Sequence, residues 1–298
     1  MQRNKEMPNL FVIGAEKCGT TSLHSYLDLH PEISMSRHKE AGYFARSSAD
    51  YRLFRIADRN DYLGLFQPGT QVRGDTTPAY SSFPESSGTP ARIDVEVSEP
   101  KFIYLVRDPS ERIESALRHW AALRHWAAYG RFGPGSEALV VEELPRNFML
   151  SRSRYMTQIE QYLEYFPPES ILVVDSDRLR QERSTTLAEI FEFLGVEPTF
   201  DHPDFREEKN PATSYRVPPG IWRRLRSARL ADSLVRVTPG PMRLRVRKVR
   251  WNLSQAVGEP LPEIVLSDAL RERLRTELEP EVAALREFTG QKFDCWSM

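Results

Sequence analysis

The sequence predicts a three-layer α/β fold, with a central, mostly parallel sheet and helices on both faces. Short apolar runs that read as buried strands alternate with longer segments of helical spacing along most of the chain. The first of these runs ends in a glycine-containing turn that opens a helix. The 298 residues, 40% of them hydrophobic, suffice for a large core and exclude wholesale disorder.

Leu10 to Gly14 is an apolar run ending in glycine, as a buried parallel strand would. A helix follows from Thr20 to about Leu29, closed by His30-Pro31, and Ile33 to Ser36 reads as the second strand. Asp50 to Phe66 has helical spacing, ended by Pro68-Gly69, and Gln71 to Asp75 is a weak strand. Lys101 to Val106 is a clear buried strand, followed by a helix from Ser110 to Tyr129. That helix contains the repeat ALRHWA-ALRHWA, Ala116 to Ala127. A six-residue shift turns the second copy by about 240°, so the repeat lengthens the helix without building one face. Arg154 to Tyr165 is helical, Ile171 to Val174 a strand and Thr185 to Leu194 a helix. A final helix with Ser267 at its N-cap runs to about Phe288, with a kink expected at Pro280. The stretch at about 203–262 lacks periodicity and reads as an irregular lobe within one domain of residues 1–298.

Charge is unevenly distributed. The chain has 41 Lys+Arg against 42 Asp+Glu, a net charge of −1, which argues against a general nucleic-acid binder. Arg206 to Arg250 alone holds 13 basic and 3 acidic residues. Such a segment is either a solvated basic face or a surface that meets an anion. Two cysteines cannot form a disulfide framework or a zinc site, and no stretch has the roughly 20 apolar residues of a membrane span. A cytoplasmic protein without a membrane span is expected.

The first turn is Gly14-Ala15-Glu16-Lys17-Cys18-Gly19-Thr20-Thr21-Ser22. Backbone N–H groups at such a helix start bind phosphate, and glycines let the anion approach. The spacing makes the expected fold P-loop-type, but Lys17 sits inside the loop and Thr20 stands where a nucleotide-triphosphate loop has its lysine. Cys18 lies at a helix N-terminus beside a cation, which would lower its pKa; alternatively it is a small residue that fits the turn. The strand ending at Val106 leads into Arg107-Asp108-Pro109-Ser110-Glu111. Asp108 suits an N-cap, Pro109 the first helical position and Glu111 a capping box. Arg107 has no such structural reason, and with Ser115 it could hold a second phosphate.

The pair PNLFVIGAEKCGTTSL and FIYLVRDPSERIESALRH resembles the 5′-phosphosulfate loop and 3′-phosphate motif of sulfotransferases that use 3′-phosphoadenylyl sulfate (PAPS). Within that superfamily it is most similar to the heparan-sulfate-type and related bacterial enzymes. GDTTPAY, RYMTQIEQYLEYFPPESILVV and LREFTGQKFDCW extend the likeness from about Asn9 to Trp296. The resemblance implies that Lys17, Cys18, Gly19, Thr20, Thr21 and Ser22 bind the 5′-phosphosulfate, and Arg107 and Ser115 the 3′-phosphate. Lys17 would stabilise the leaving phosphate, with no metal required.

The run Arg37-His38-Lys39-Glu40-Ala41-Gly42-Tyr43-Phe44 resembles the K-E-x-x-[FY]-F segment in which heparan-sulfate-type relatives place a catalytic glutamate. Glu40 is then the general base, with His38 and His119 as rivals; N-sulfotransferases of the family carry a functional histidine matching His119. His125 is rotated about 80° from Ser115 and reads as surface or core. Asp75 could orient a substrate or cap its strand.

Some features depart from the family pattern. Thr76 stands where many relatives have lysine, and the late K-G-R segment and nearby cysteine pair are missing; Lys209, Asn210 and Arg216 are candidates to replace that loop. The implied acceptor is a hydroxyl or amine of a carbohydrate or small metabolite. Without a membrane anchor, a Golgi polysaccharide role is disfavoured. The alternatives are a kinase-like P-loop phosphotransferase and a non-catalytic nucleotide or polyanion binder.

Overall fold

In the computed structural model, residues 7–45, 56–128, 139–144, 147–206, 216–217, 259–260 and 263–297 are described. Almost all of the basic segment from Arg206 to Arg250, Lys209 and Asn210 included, lies outside them.

The chain divides into two compact units, the first made of Met1–Ile113, Leu144–Lys209 and Arg271–Met298. It is built on five strands: β1 (Leu10–Gly14), β2 (Ile33–Met35), β3 (Val72–Thr76), β4 (Lys101–Val106) and, later in the chain, Ile171–Asp175. The sheet order is β2, β3, β1, β4 and the Ile171–Asp175 strand, with every neighbouring pair parallel. All carboxyl ends therefore lie along one edge, and the order reverses at β1, where open α/β sheets bind ligands. Every residue of β1 is buried, as are five of the six in β4, so both faces of the central strands are covered. This is the α/β arrangement expected from the alternating pattern.

Helices α1 (Thr20–Leu27), α2 (Arg59–Leu63) and α3 (Thr89–Glu96) connect the strands up to β4. The helical spacing from Asp50 yields only Arg59–Leu63 among the described residues. Asp58 sets its start by accepting from the amides of Asn60 (2.8 Å) and Asp61 (3.0 Å). Helix α3 was not anticipated. Helix α4 (Pro109–Ala128) carries both copies of the repeat. The short α5 (Phe148–Ser151) and α6 (Tyr155–Leu163) precede the fifth sheet strand, and α7 (Ser176–Gln181) and α8 (Arg183–Leu194) follow it.

The second unit comprises Glu114–Glu143 and Asn210–Leu270. Its strands Leu139–Val141 and Ile264–Leu266 pair in parallel, and Arg216–Val217 pairs antiparallel with Glu259–Pro260. Leu266 N–H donates to Glu114 Oε1 at 3.1 Å. Ser267 Oγ accepts from Leu270 N–H at 3.2 Å, the expected cap of the last helix, α9 (Asp268–Thr289). This helix runs through Pro280. Among the described residues, no helix is long and apolar enough to cross a membrane.

Candidate functional site

The turn after β1 admits little variation. Gly14 has φ +155°, and a Cβ there would stand 2.1 Å from Ser81 Oγ and 3.0 Å from the Tyr104 ring. Ser81 Oγ is itself committed, donating to the Ile13 carbonyl at 2.8 Å. Lys17 and Gly19 both have left-handed backbones, with φ 72° and 89°. Gly19 offers α1 no side-chain cap, so the helix start presents its first-turn amides at the turn. Amides at a helix start favour an anion. Glu16, inside the loop, is paired with Arg152, whose side chain is 8% exposed. Lys17 is half-buried.

Cys18 is not the activated thiol its neighbours suggested. It is buried beneath the turn, 3.9 Å from the Tyr155 hydroxyl, and burial pushes its pKa up to about 11. Desolvation thus outweighs the nearby Arg112 and Arg107 charges, which act in the opposite direction. Its amide donates to the Ala15 carbonyl at 3.2 Å, closing the turn. Arg112 is fully buried, donating Nε to Ser153 Oγ at 2.8 Å and Nη2 to the Met149 carbonyl. Nothing in its spacing separated this arginine from an ordinary helix surface residue.

At the end of β4, Asp108 caps α4 as expected, accepting from the amides of Ser110 (2.8 Å) and Glu111 (3.2 Å). Its other oxygen accepts from the Ser297 amide and hydroxyl at 2.5 and 2.7 Å. Glu111 does not close a capping box. It accepts instead from Arg107 Nε at 2.8 Å and also pairs with Nη2. Arg107 therefore does have a structural partner, one helical turn away, which sequence spacing alone could have suggested. The Arg107 carbonyl accepts from Tyr155 Oη at 2.8 Å.

The segment after β2 reaches the same sheet edge. Glu40 adopts a left-handed backbone (φ 64°) that is costly for a residue with a Cβ. Its amide donates to the Thr76 carbonyl at 2.8 Å, and its carboxylate pairs with Lys39 Nζ at 2.8 Å. The Glu40 side chain is 43% exposed, open enough to meet a ligand. His38 is exposed, with Nδ1 3.2 Å from the Lys39 carbonyl.

Asp75, considered as a substrate-orienting group, is 0% exposed and cannot meet a substrate. It accepts from Tyr62 and Tyr80 hydroxyls at 2.7 Å each and from Thr77 Oγ1 at 2.8 Å. Burial raises its pKa, the three hydroxyls pull it back, and burial wins. His24, which the sequence reading passed over, has Nδ1 3.0 Å from Thr76 Oγ1. Burial, aided by Lys39, lowers its pKa to about 4, so it is neutral at physiological pH.

The structure thus brings the Gly14–Ser22 turn, Glu40 and Arg107 to the carboxyl edge of one sheet. Ser115 and His119 lie on α4 within the second unit, Ser115 buried and His119 half-buried. His125 is on the same helix.

A family model described as "Sulfotransferase domain" matches residues 7–213. The human bifunctional heparan sulfate N-deacetylase/N-sulfotransferase 3 is 28% identical over 207 residues, covering 66% of this chain and 23% of its own length. The Caenorhabditis briggsae bifunctional heparan sulfate N-deacetylase/N-sulfotransferase 1 is 26% identical over 210 residues, covering 64% of this chain and 23% of its own. The chain therefore spans about a quarter of the length of these curated relatives. A crystal structure of a sulfotransferase from Alicyclobacillus acidocaldarius shares the fold, with a TM-score of 0.63 over 98% of this chain and 99% of that one at 22% identity.

Proposed function

The chain belongs to the sulfotransferase family, and from that premise we propose that it moves a sulfuryl group from PAPS to a hydroxyl or amine of a carbohydrate or small metabolite. The observation that carries this reading is the meeting of the glycine-bounded anion turn, the exposed Glu40 carboxylate and Arg107 at one sheet edge. A nucleotide-triphosphate enzyme wants its lysine after the second glycine and a hydroxyl on Mg²⁺. Here Lys17 lies within the turn instead, which favours the sulfuryl donor over ATP. The cytoplasmic location expected from the sequence belongs to the same reading.

In this mechanism the turn and first-turn amides hold the donor's 5′-phosphosulfate, and Lys17 faces the charge that develops on the leaving phosphate. Glu40 accepts the proton of the acceptor. The acceptor atom forms its bond to sulfur as the bridging sulfur–oxygen bond breaks, and 3′-phosphoadenosine 5′-phosphate departs. The transferred group bears less charge than a γ-phosphate, so lysine and amides suffice without a metal. Lys39 holds Glu40 in place through their ion pair. Arg107 binds the 3′-phosphate after exchanging its bond to Glu111. Ser115 joins it on the sequence motif alone, and His119 is the rival base.

A thermal-shift panel of 3′-phosphoadenosine 5′-phosphate, ATP with Mg²⁺, and AMP tests the donor. Selective stabilisation by the first is expected; equal stabilisation by ATP would favour the phosphotransferase alternative. Turnover of PAPS over a panel of neutral and acidic sugars, N-desulfated heparin and small alcohols and amines then separates an enzyme from a non-catalytic binder. Glu40→Gln should keep donor affinity and lower kcat by about 10²–10⁴-fold. If that variant stays active while His119→Ala is dead, the base is the histidine.

A further inference from the structure

Glu40 sits in a strained conformation, and the residues holding it there converge on one buried group. Three consecutive positions beyond it are tied to the β3 side of the sheet. Gly42 N–H donates to Thr77 Oγ1 at 3.2 Å. The Tyr43 ring stacks on Tyr62 with centroids 4.3 Å apart and planes 6° from parallel. Phe44 N–H donates to the Tyr80 hydroxyl at 3.3 Å. Thr77, Tyr62 and Tyr80 are also the three residues whose hydroxyls donate to Asp75.

An oxygen that donates to a carboxylate becomes a better acceptor, so the amide bonds of Gly42 and Phe44 are strengthened through Thr77 and Tyr80. The carboxylate also fixes the rotation of the Thr77 and Tyr80 hydroxyls, leaving lone pairs to accept from Gly42 and Phe44. Burial raises the phenol pKa values of Tyr62 and Tyr80 well above the usual range, so both remain protonated donors. On the other side Glu40 is fastened by its own amide to the Thr76 carbonyl. With both flanks fixed, the left-handed backbone at Glu40 is over-determined, a pattern found where strain serves a site.

We propose that Asp75 is the positioning residue of Glu40: from the core it organises Thr77, Tyr62 and Tyr80 into a three-point clamp that aims the base. The inference rests on the reading of Glu40 as the general base. Asp75 meets neither donor nor acceptor and acts wholly through the segment it holds.

The test is a double-mutant cycle of Asp75→Asn and Glu40→Gln in the full chain. PAPS turnover is followed with the best acceptor of the panel above, or with water as acceptor where none exceeds it. Asp75→Asn keeps the shape but loses the charge. It is expected to lower kcat by about 10²-fold, the cost of a misplaced catalytic group, while the affinity for 3′-phosphoadenosine 5′-phosphate and the acceptor KM are kept. In the Glu40→Gln background the same change should cost nothing further. An equal loss in both backgrounds, or a loss confined to donor affinity, overturns the positioning role while leaving Glu40 as base. Wild-type kcat in Asp75→Asn overturns it too. Wild-type kcat in Glu40→Gln overturns the parent reading and this inference together. If Asp75→Asn does not fold, Tyr80→Phe and Thr77→Val, each removing one arm of the clamp, carry the same cycle. Each should then lose part of the rate in the wild-type background and none in Glu40→Gln.

Discussion

The Gly14–Gly19 turn follows β1, the Glu40–Phe44 segment follows β2 and lies against the end of β3, and the two are held by opposite means. The turn is held by exclusion: the space beside Gly14 is already filled by Ser81 and Tyr104, and Cys18 is packed beneath. The segment is held by attachment, through amide bonds to Thr76, Thr77 and Tyr80 and a ring stack on Tyr62. As the proposed anion cradle, the turn must keep its amides pointed whatever binds, and sterics supply that without directional partners. As the proposed proton acceptor, Glu40 must stay both polar and exposed, which crowding would prevent; its support is polar and comes from one side.

The two modes should fail differently. Gly14→Ala places a methyl inside the contact distance of Ser81 and Tyr104 and should destabilise the fold by about 1–3 kcal/mol, read by denaturant unfolding. A loss under about 1 kcal/mol would show that the turn can yield. The polar side should instead respond to pH. His24 has its pKa lowered from 6.5 to about 4 by burial and by Lys39, against a smaller opposing pull from Asp28. The unfolded chain therefore binds a proton between these values that the native chain refuses. Stability from this group is present above pH 6.5 and lost as pH falls through about 4, by about 3 kcal/mol in all. His24→Gln should flatten the stability profile across that window, and an unchanged profile would refute the assignment.

Smaller effects are expected at the third strand end. Arg107→Ala should weaken 3′-phosphoadenosine 5′-phosphate binding by roughly 1.5–3 kcal/mol, measured by calorimetry. Glu111→Gln should do the reverse and strengthen binding by roughly 0.5 kcal/mol, the worth of a half-exposed ion pair, because Arg107 no longer leaves a carboxylate to meet the phosphate. Weaker binding in Glu111→Gln would mean that the pair aligns Arg107 rather than competing for it.

What the sequence made legible follows the same division. Gly14 and Gly19 announced the turn because excluded volume and left-handed backbone leave a mark on residue type. Asp108 and Ser267 were readable as caps because a cap acts within its own turn. The alternation of strands and helices carried the sheet, since burial on both faces writes a continuous apolar run. Partnerships across the chain left no such mark. Asp75 looks like any acid at a strand end until Tyr62, Thr77 and Tyr80 are folded around it. Cys18 sits beside a cation in sequence, yet its thiol answers to burial, which neighbouring letters do not reveal. The three-residue strands Leu139–Val141 and Ile264–Leu266 are too short to show a period and exist through each other. From Asp50 the spacing predicted one helix; among the described residues it starts only at Arg59, because periodicity says nothing of where Asp58 places its cap.

The tie between Asp108 and Ser297 has an optical consequence. It fixes the chain next to Trp296, whose indole is 7% exposed, stacks on Phe293 at 4.4 Å and meets the Tyr155 ring edge-on at 6.0 Å. Tyr155 in turn donates to the carbonyl of Arg107. A single chain of contacts thus runs from Arg107, proposed to bind the donor's 3′-phosphate, to a shielded fluorophore. Its emission should change when 3′-phosphoadenosine 5′-phosphate is added, and Trp296→Phe should abolish that change without altering affinity. Such a response would let occupancy of the proposed donor site be followed in solution with nothing attached.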